Sequence, residues 1–255
     1  MIEITSTEIF GWEAAVRGMR NPMNSWDKSD SFICKEELEL STDELAKKCE
    51  KCAKSLVRCD IYDHEPHYVL GINDLSLMKK LVASGTDHRK FMRMRTVYAD
   101  ITAPLYWWKE YDTYKVGTVA NSCSTMHKIH TKEFTLDDFS HEHLLDDWDD
   151  EHEDEHVCFD GEYFYTAKSV LENAIIPVLN QYRLKFLDTK DKKWWWQMIQ
   201  LLPSSYNQKR TVMLNYEVLT NMYHSRKAHK LDEWINFCRW VETLPYAKEL
   251  ICNVS

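Results

Sequence analysis

Glycine and proline are scarce, six of each in 255 residues. Their scarcity argues against a disordered chain and against an all-β fold, which uses both residues in tight turns. Apolar runs are short. None approaches the roughly 20 residues of a membrane-spanning helix, so no such helix is expected. The opening MIEITSTEIFGWEAAV has no basic stretch leading into an apolar one and does not read as a signal peptide. Eight cysteines in that setting read as free cytosolic thiols, not as a disulfide framework, and a cytoplasmic location is expected. Lys and Arg are missing altogether between Asp137 and His156.

What is present is a large apolar fraction, 44% hydrophobic and 13% aromatic, enough for one large domain spanning 1–255. The net charge of −9 is concentrated: eleven acidic residues lie between Asp137 and His156, and without them the rest of the chain carries +2. The acidic stretch reads as an insertion, with Leu144, Leu145 and Trp148 anchoring a small helix and the remainder solvated. Its Asp, Glu and His invite a divalent cation, but such runs are usually hydrated, and no metal site is assigned. A second metal reading attaches to Cys49, Cys52, Cys59, His64 and His67. Ser41 and Glu44 cap a helix there, and Leu45, Cys49, Cys52 and Leu56 form its apolar stripe. Thiols on a stripe behave as small hydrophobes, so no metal is assigned here either.

The chain is organised around DITAPLYWWKEYDTYKVGTVANSCSTMH, Asp100 to His127. A strand ends near Pro104, which opens a short helix whose Leu105, Trp108 and Tyr111 recur at helical spacing. From Val116 to Thr125 the residues are small and hydroxyl-rich, without helical or strand period. This segment reads either as a buried polar turn or as backbone that approaches a phosphate or flavin. Elsewhere, residues 1–10 alternate as a strand and Trp12 to Met19 form a helix. The irregular Arg20–Asp27 segment, with Arg17 and Arg20, is a surface loop or a ligand loop. Asp74 starts a helix Leu75–Ala83 that ends at Gly85, and Met92 to Ala99 read as strand with Met92 and Met94 on one face. Tyr163 to Tyr182 is a helix pair or a helix kinked at Pro177. A capping signal at Ser205–Gln208 predicts a long helix Asn207–Lys230, with Asn215, Leu219, Met222 and Arg226 on one stripe. Such a stripe reads as the wall of a ligand cavity, or as a core asparagine with a snorkelling arginine. A helix from Leu231 to Thr243 follows.

Two blocks resemble the flavin-dependent thymidylate synthases (ThyX), whose signature runs R-H-R-x-x-S-x-N-E-x-S-x-R-Y after a Pro-led helix. Here the match is Thr113-Tyr114-Lys115, Thr118, then Asn121 to His127, with one extra residue before Asn121. The second block is Leu202-Pro203 followed by Asn215, Asn221 and Arg226 at the family's spacing. The resemblance covers the chain from about Gly71 onward. It implies an α+β fold, a mixed β-sheet flanked by long helices. It also implies transfer of a one-carbon unit from methylenetetrahydrofolate to C5 of deoxyuridylate or a related nucleotide, with FAD as hydride carrier and NADPH as reductant. Members are cytoplasmic homotetramers. Carried over, His88, Lys115, Asn121, Asn215 and Asn221 would contact FAD, and Ser122, Ser124 and Arg226 the nucleotide, with Arg226 and Ser124 in the catalytic set. No cysteine nucleophile, membrane or nucleic acid is implied.

The departures are equally specific. Thr113, Tyr114, Ser122 and Met126 stand where the family has Arg, His, Glu and Arg. Glu110 replaces a glutamine, and Ile199 an arginine. Two lost arginine contacts, at about 1.5–3 kcal/mol each, would weaken nucleotide binding by roughly 10²–10⁴. Lys115, Lys128, Arg17 and Arg20 are the cations at hand to compensate. The sequence thus allows a divergent flavoenzyme, or a catalytically inactive relative that binds flavin or nucleotide or helps an assembly form.

Overall fold

The computed structural model describes residues 1–33, 68–145, 157–158 and 164–254. The expected helix with Cys49 and Cys52, and the acidic stretch from 146 onward, lie outside the described residues. Among the described residues the strands are β1 (Glu3–Phe10), β2 (Phe32–Ile33), β3 (Tyr68–Val69), β4 (Thr96–Pro104), β5 (Val119–Ser122), β6 (Val157–Cys158), β7 (Phe164–Tyr165) and β8 (Asn207–Asn215). Four of them form one sheet in the order β1-β4-β8-β5; β2 pairs with β3, and β6 with β7, both antiparallel. The α-helices are α1 (Trp12–Arg20), α2 (Ile72–Ala83), α3 (Leu105–Tyr111), α4 (Thr125–Lys128), α5 (Ala167–Val170), α6 (Ile176–Thr189), α7 (Lys192–Leu201), α8 (Tyr216–Arg226) and α9 (Asp232–Thr243). The α+β expectation is met.

Contacts divide the chain into two compact units. The first comprises Met1–Glu3, Thr102–Thr113 and Ser122–Arg210. Its core gathers Ile129, Phe134, Phe139, Leu171, Ile176, Leu179 and Met198. Trp108 is buried beside Tyr111, donates its indole N–H to the Gln208 carbonyl and carries the Arg210 guanidinium 4.1 Å above its ring. Large aromatics line the buried side of α3, as the spacing of its residues predicts.

The second unit comprises Ile4–Ile101, Tyr114–Asn121 and Thr211–Ser255. Trp12, Tyr216, Trp234 and Phe237 are buried in it. Trp12 meets Tyr216 and Tyr246 edge to face, and the buried Arg95 guanidinium lies 4.0 Å from the Trp12 ring. Gly11 enters α1 at φ +96, with a notional Cβ only 2.2 Å from the Met94 carbonyl oxygen, so no larger residue fits.

Four sequence expectations need correction. Asn207–Asn215 is a strand and not the first half of a helix; its inward residues are Gln208, Val212 and Leu214. The strand before Pro104 begins at Thr96, so its buried face is Val97, Ala99, Ile101 and Ala103, while Met92 lies in a 3-10 turn and Met94 is exposed. Val119–Ser122, expected to lack regular structure, is an edge strand with every residue exposed. Within 163–182 the helix is continuous from Ala167, and the break expected at Pro177 is a π turn, Leu171–Ile175, just before it. A widened turn is one way a helix admits a proline that can make no bond to the preceding turn.

Candidate functional site

Strand β8 ends in the helix that the site is built on. Asn215 is the last residue of the strand and the N-cap of α8: its side-chain oxygen accepts from Val218 N at 3.0 Å. Its amide Nδ2 donates to the Gly117 carbonyl at 3.4 Å. Asn215 is therefore buried by its role as a cap and as a clasp on the loop, and it is not on the stripe of α8. On the helix proper, Leu219 and Met222 are fully buried, Asn221 is exposed, and Arg226 is half-buried.

Loop 114–121 and α8 meet at two places. At one end Gly117, φ +80, would put a Cβ 2.9 Å from Asn215 Nδ2 and 3.0 Å from Val218 Cγ2. Glycine is required there both by conformation and by space. Replacing it with alanine is expected to cost about 1–2 kcal/mol, the usual penalty for a β-carbon in the left-handed region. Urea unfolding checks this, and an unchanged midpoint would show that the loop does not need this approach. At the other end Arg226 Nε donates to Tyr114 Oη at 2.9 Å. The guanidinium carbon lies 4.8 Å from the buried Trp234 ring and 5.6 Å from that of Tyr114. Parts of the two sequence blocks, Tyr114–Asn121 and Asn215–Arg226, thus come together in the second unit, with aromatic side chains packed between them.

The opposite flank of α8 borders an open cleft of about 900 Å³ lined by Arg89, Thr220, Asn221, His224, Lys227 and the segment Cys252–Val254. Arg89 is buried against Glu217, Nε to Oε2 2.9 Å, as an ion pair without hydrogen-bond alignment. His224 Nε2 lies 2.9 Å from the Ile251 carbonyl oxygen, which ties α8 to the C-terminal segment. Cys238, packed behind, has its thiol pushed up to about 12 by burial and by the Glu242 carboxylate, which makes it a poor nucleophile. The cleft mixes polar and apolar surface, with Lys227 the cation on its rim and Arg89 engaged by Glu217.

The remaining sequence candidates are distributed differently. His88 is exposed on the turn before Arg89; Lys115 and Asn121 are exposed. Ser122 ends the edge strand β5, and Ser124 in the first unit caps α4 by accepting from His127 N at 3.1 Å. Arg17 pairs with Glu13, and Arg20 is buried on Asp74 at 2.6 Å while donating to the Ser25 and Lys28 carbonyls. Arg20 is thus a structural cation, and the small hollow of about 300 Å³ it borders, beside Trp26 and Tyr68, has its charge engaged. Lys128 belongs to a different cluster. Burial, and then Lys190, Lys128 and Arg183, hold the His130 imidazole below its ordinary pKa, which marks a concentration of positive charge beside α4. Sequence reasoning missed Arg89, His224 and Lys227. Lys227 and His224 flank Asn221 on α8 at i+6 and i+3, so a helix starting at 216 would have placed them on its rim.

Among the described residues no group of His, Cys, Asp and Glu could hold a metal ion, and no helix is long and apolar enough to cross a membrane.

The described residues form an α+β protein with an open cleft beside a strand-capped helix. No model of a known protein family matches the chain, and no curated protein matches it. Solved structures do match, two of them as follows. One is thymidylate synthase X from Helicobacter pylori with FAD and dUMP, TM-score 0.59 at 13% identity, covering 98% of this chain and 97% of that one. The other is the flavin-dependent thymidylate synthase ThyX of the same organism, also complexed with FAD and dUMP, TM-score 0.59 at 14% identity, covering 99% of each chain. The chain has a ThyX-like fold over nearly its whole length.

Proposed function

We propose that the chain binds FAD and transfers a one-carbon unit to C5 of a pyrimidine nucleotide, dUMP or a close relative. One observation carries the reading: the Tyr114–Asn121 part of the segment that matches the ThyX signature meets the Asn215–Arg226 segment in one unit, Gly117 on Asn215 and Tyr114 on Arg226. The ThyX-like fold, in structures that hold FAD and dUMP, supports it. The cleft is the proposed place of a group that carries a diphosphate: Lys227 offers charge and Asn221 an amide, while Arg89 is engaged by Glu217 and His224 by the Ile251 carbonyl. In this reading Asn221, with His88 beside Arg89, holds the cofactor, and Lys115 and Asn121, on the loop along the other flank of α8, meet the cofactor of a neighbouring subunit. Asn215 acts indirectly by clasping Gly117. When bound, FAD supplies the hydride chemistry, with NADPH as reductant and methylenetetrahydrofolate as carbon donor. Arg226 holds the base and stabilises charge that develops on it, and Ser122 and Ser124 contribute hydroxyls to the nucleotide. A homotetramer whose subunits share sites belongs to the same proposal, and light scattering tests it.

A second reading is an inactive paralogue that binds flavin or nucleotide. It is favoured by Thr113, Tyr114 and Met126 standing where charged or ionisable residues are expected, and by the Tyr114 ring lying against Arg226. Purified protein is expected to be yellow, or to take up added FAD with a flavin absorption band. Complementation of a thymidine auxotroph then separates the readings. Colourless protein that ignores added FAD would overturn the flavoenzyme and favour the second reading; flavin binding without complementation or in vitro product also favours the paralogue.

A further inference from the structure

Ser124 is exposed, and its Oγ already accepts from the His127 N–H, which leaves the hydroxyl proton to be given outward. Where that proton points depends on the residues to either side, and both are held by one buried side chain of β8. Gln208 Nε2 donates to the Cys123 carbonyl at 3.1 Å and to Thr125 Oγ1 at 2.9 Å, so the two hydrogens of a single amide bracket Ser124. The amide cannot turn over. Its Oε1 accepts from Arg210 Nε at 3.0 Å, and a guanidinium has only donors, so the oxygen faces the arginine and the nitrogen faces the turn. Arg210 is fixed in its turn by Asp112, Nη1 to Oδ1 2.7 Å, and by the Trp108 ring, 4.1 Å from the guanidinium carbon. All of these residues belong to the first unit.

We propose that Gln208 is a positioning residue for Ser124, its amide oriented by Asp112 through Arg210, and that the Ser124 hydroxyl donates to an acceptor oxygen of the nucleotide. This rests on the reading above that Ser124 meets the nucleotide. Gln208 itself touches no ligand; it acts from behind the turn. A buried amide in a strand is costly unless its polar atoms are paired. Here both are paired, the oxygen with Arg210 and the nitrogen with the two residues that flank Ser124. Asp112, Arg210 and Gln208 thus form a chain in which each acceptor meets a donor, and its last link decides how Ser124 is presented. The acceptor on the nucleotide is a phosphate oxygen or a carbonyl oxygen of the base, since each takes a hydroxyl proton in the same way.

Gln208→Glu separates positioning from packing. The carboxylate has the shape of the amide and strengthens the bond to Arg210, but it has no N–H to give to Cys123 or Thr125. In the ligand-free protein, solvent exchange of the His127 amide, which reports the Ser124 cap, is expected to be at least tenfold faster in Q208E. With FAD-saturated protein, calorimetric titration of dUMP is expected to weaken about tenfold, with FAD affinity unchanged within twofold and KM rising more than kcat falls. Thr125→Val removes one of the two acceptors and leaves Gln208 on Arg210; it is expected to move both readouts in the same direction, and it carries the test if Q208E does not fold. Repeating the titration with deoxyuridine tells the two acceptors apart: a loss that persists assigns the carbonyl oxygen, and one that vanishes assigns the phosphate. Equal His127 exchange in wild type and variants overturns the inference without reference to any ligand. Faster exchange with dUMP affinity unchanged overturns it too. Wild-type protein that binds FAD but neither dUMP nor deoxyuridine overturns the parent reading, while the exchange data still judge the hold of Gln208 on Ser124.

Discussion

Asp74→Ala is expected to destabilise the fold by about 3–5 kcal/mol, the cost of leaving one partner of a buried ion pair uncompensated. For a chain of this length that corresponds to a fall in Tm of roughly 6–20 °C. Asp74 is fully buried. It accepts from Arg20 Nε at 2.6 Å, from the hydroxyls of Ser29 and Ser31 at 2.7 and 2.6 Å, and from the backbone N–H groups of Asp30 and Ser31. One carboxylate therefore fastens the end of α1, the loop 29–31 and the first turn of α2. Burial alone would raise its pKa, but the hydrogen bonds of Ser31 and Ser29 and the hydrogen bond and charge of Arg20 outweigh it and hold the pKa below the ordinary 3.8. A carboxylate depressed in the folded state stabilises fully above its unfolded value and loses that contribution as pH falls through the folded one. The wild type is thus expected to show an acid limb, below about pH 4, that Asp74→Asn lacks. Chemical denaturation of both proteins across that range measures it; parallel curves would show that Asp74 is not the group responsible.

Arg226→Ala is expected to lower kcat/KM for one-carbon transfer by 10²-fold or more while FAD remains bound. That is the scale of losing one donor aimed at developing charge. Arg226→Lys is not expected to rescue, since an ammonium has no flat fork and cannot stack between Tyr114 and Trp234 in the same way. Product chromatography with dUMP, methylenetetrahydrofolate, FAD and NADPH provides the rate. An alanine variant within threefold of wild type would remove Arg226 from the chemistry and leave the cleft as a binding site only.

How much of this was legible in the sequence depended on which physical signal each element carries. The aromatic face of α3 was legible because Trp108 and Tyr111 repeat at helical spacing and are buried accordingly. Strand β8 was not. Its inward positions include Gln208, buried because its amide donates to Thr125 Oγ1 and the Cys123 carbonyl, and Arg210, held by Asp112. Polar groups satisfied by neighbours far away in sequence erase the apolar alternation, and the Ser205–Gln208 capping signal filled the gap with the wrong element. Only Val212 and Leu214 kept the strand period. The edge strand β5 had no signal at all, because a strand with four exposed side chains is held by its backbone alone. Within the candidate site, the proximity of Tyr114 to Arg226 was legible only as a resemblance of spacing. The resemblance supplied no signal for Arg89 and Lys227.

The residue Asn215 has one more implication. Because a single side chain finishes β8 and begins α8, no linker separates sheet from helix. Whatever tugs on Arg226 is resisted by the sheet itself, so the arginine end of the site is an anvil. Change in what the protein accepts has to come from the hammer side, the loop between Thr113 and Ser122.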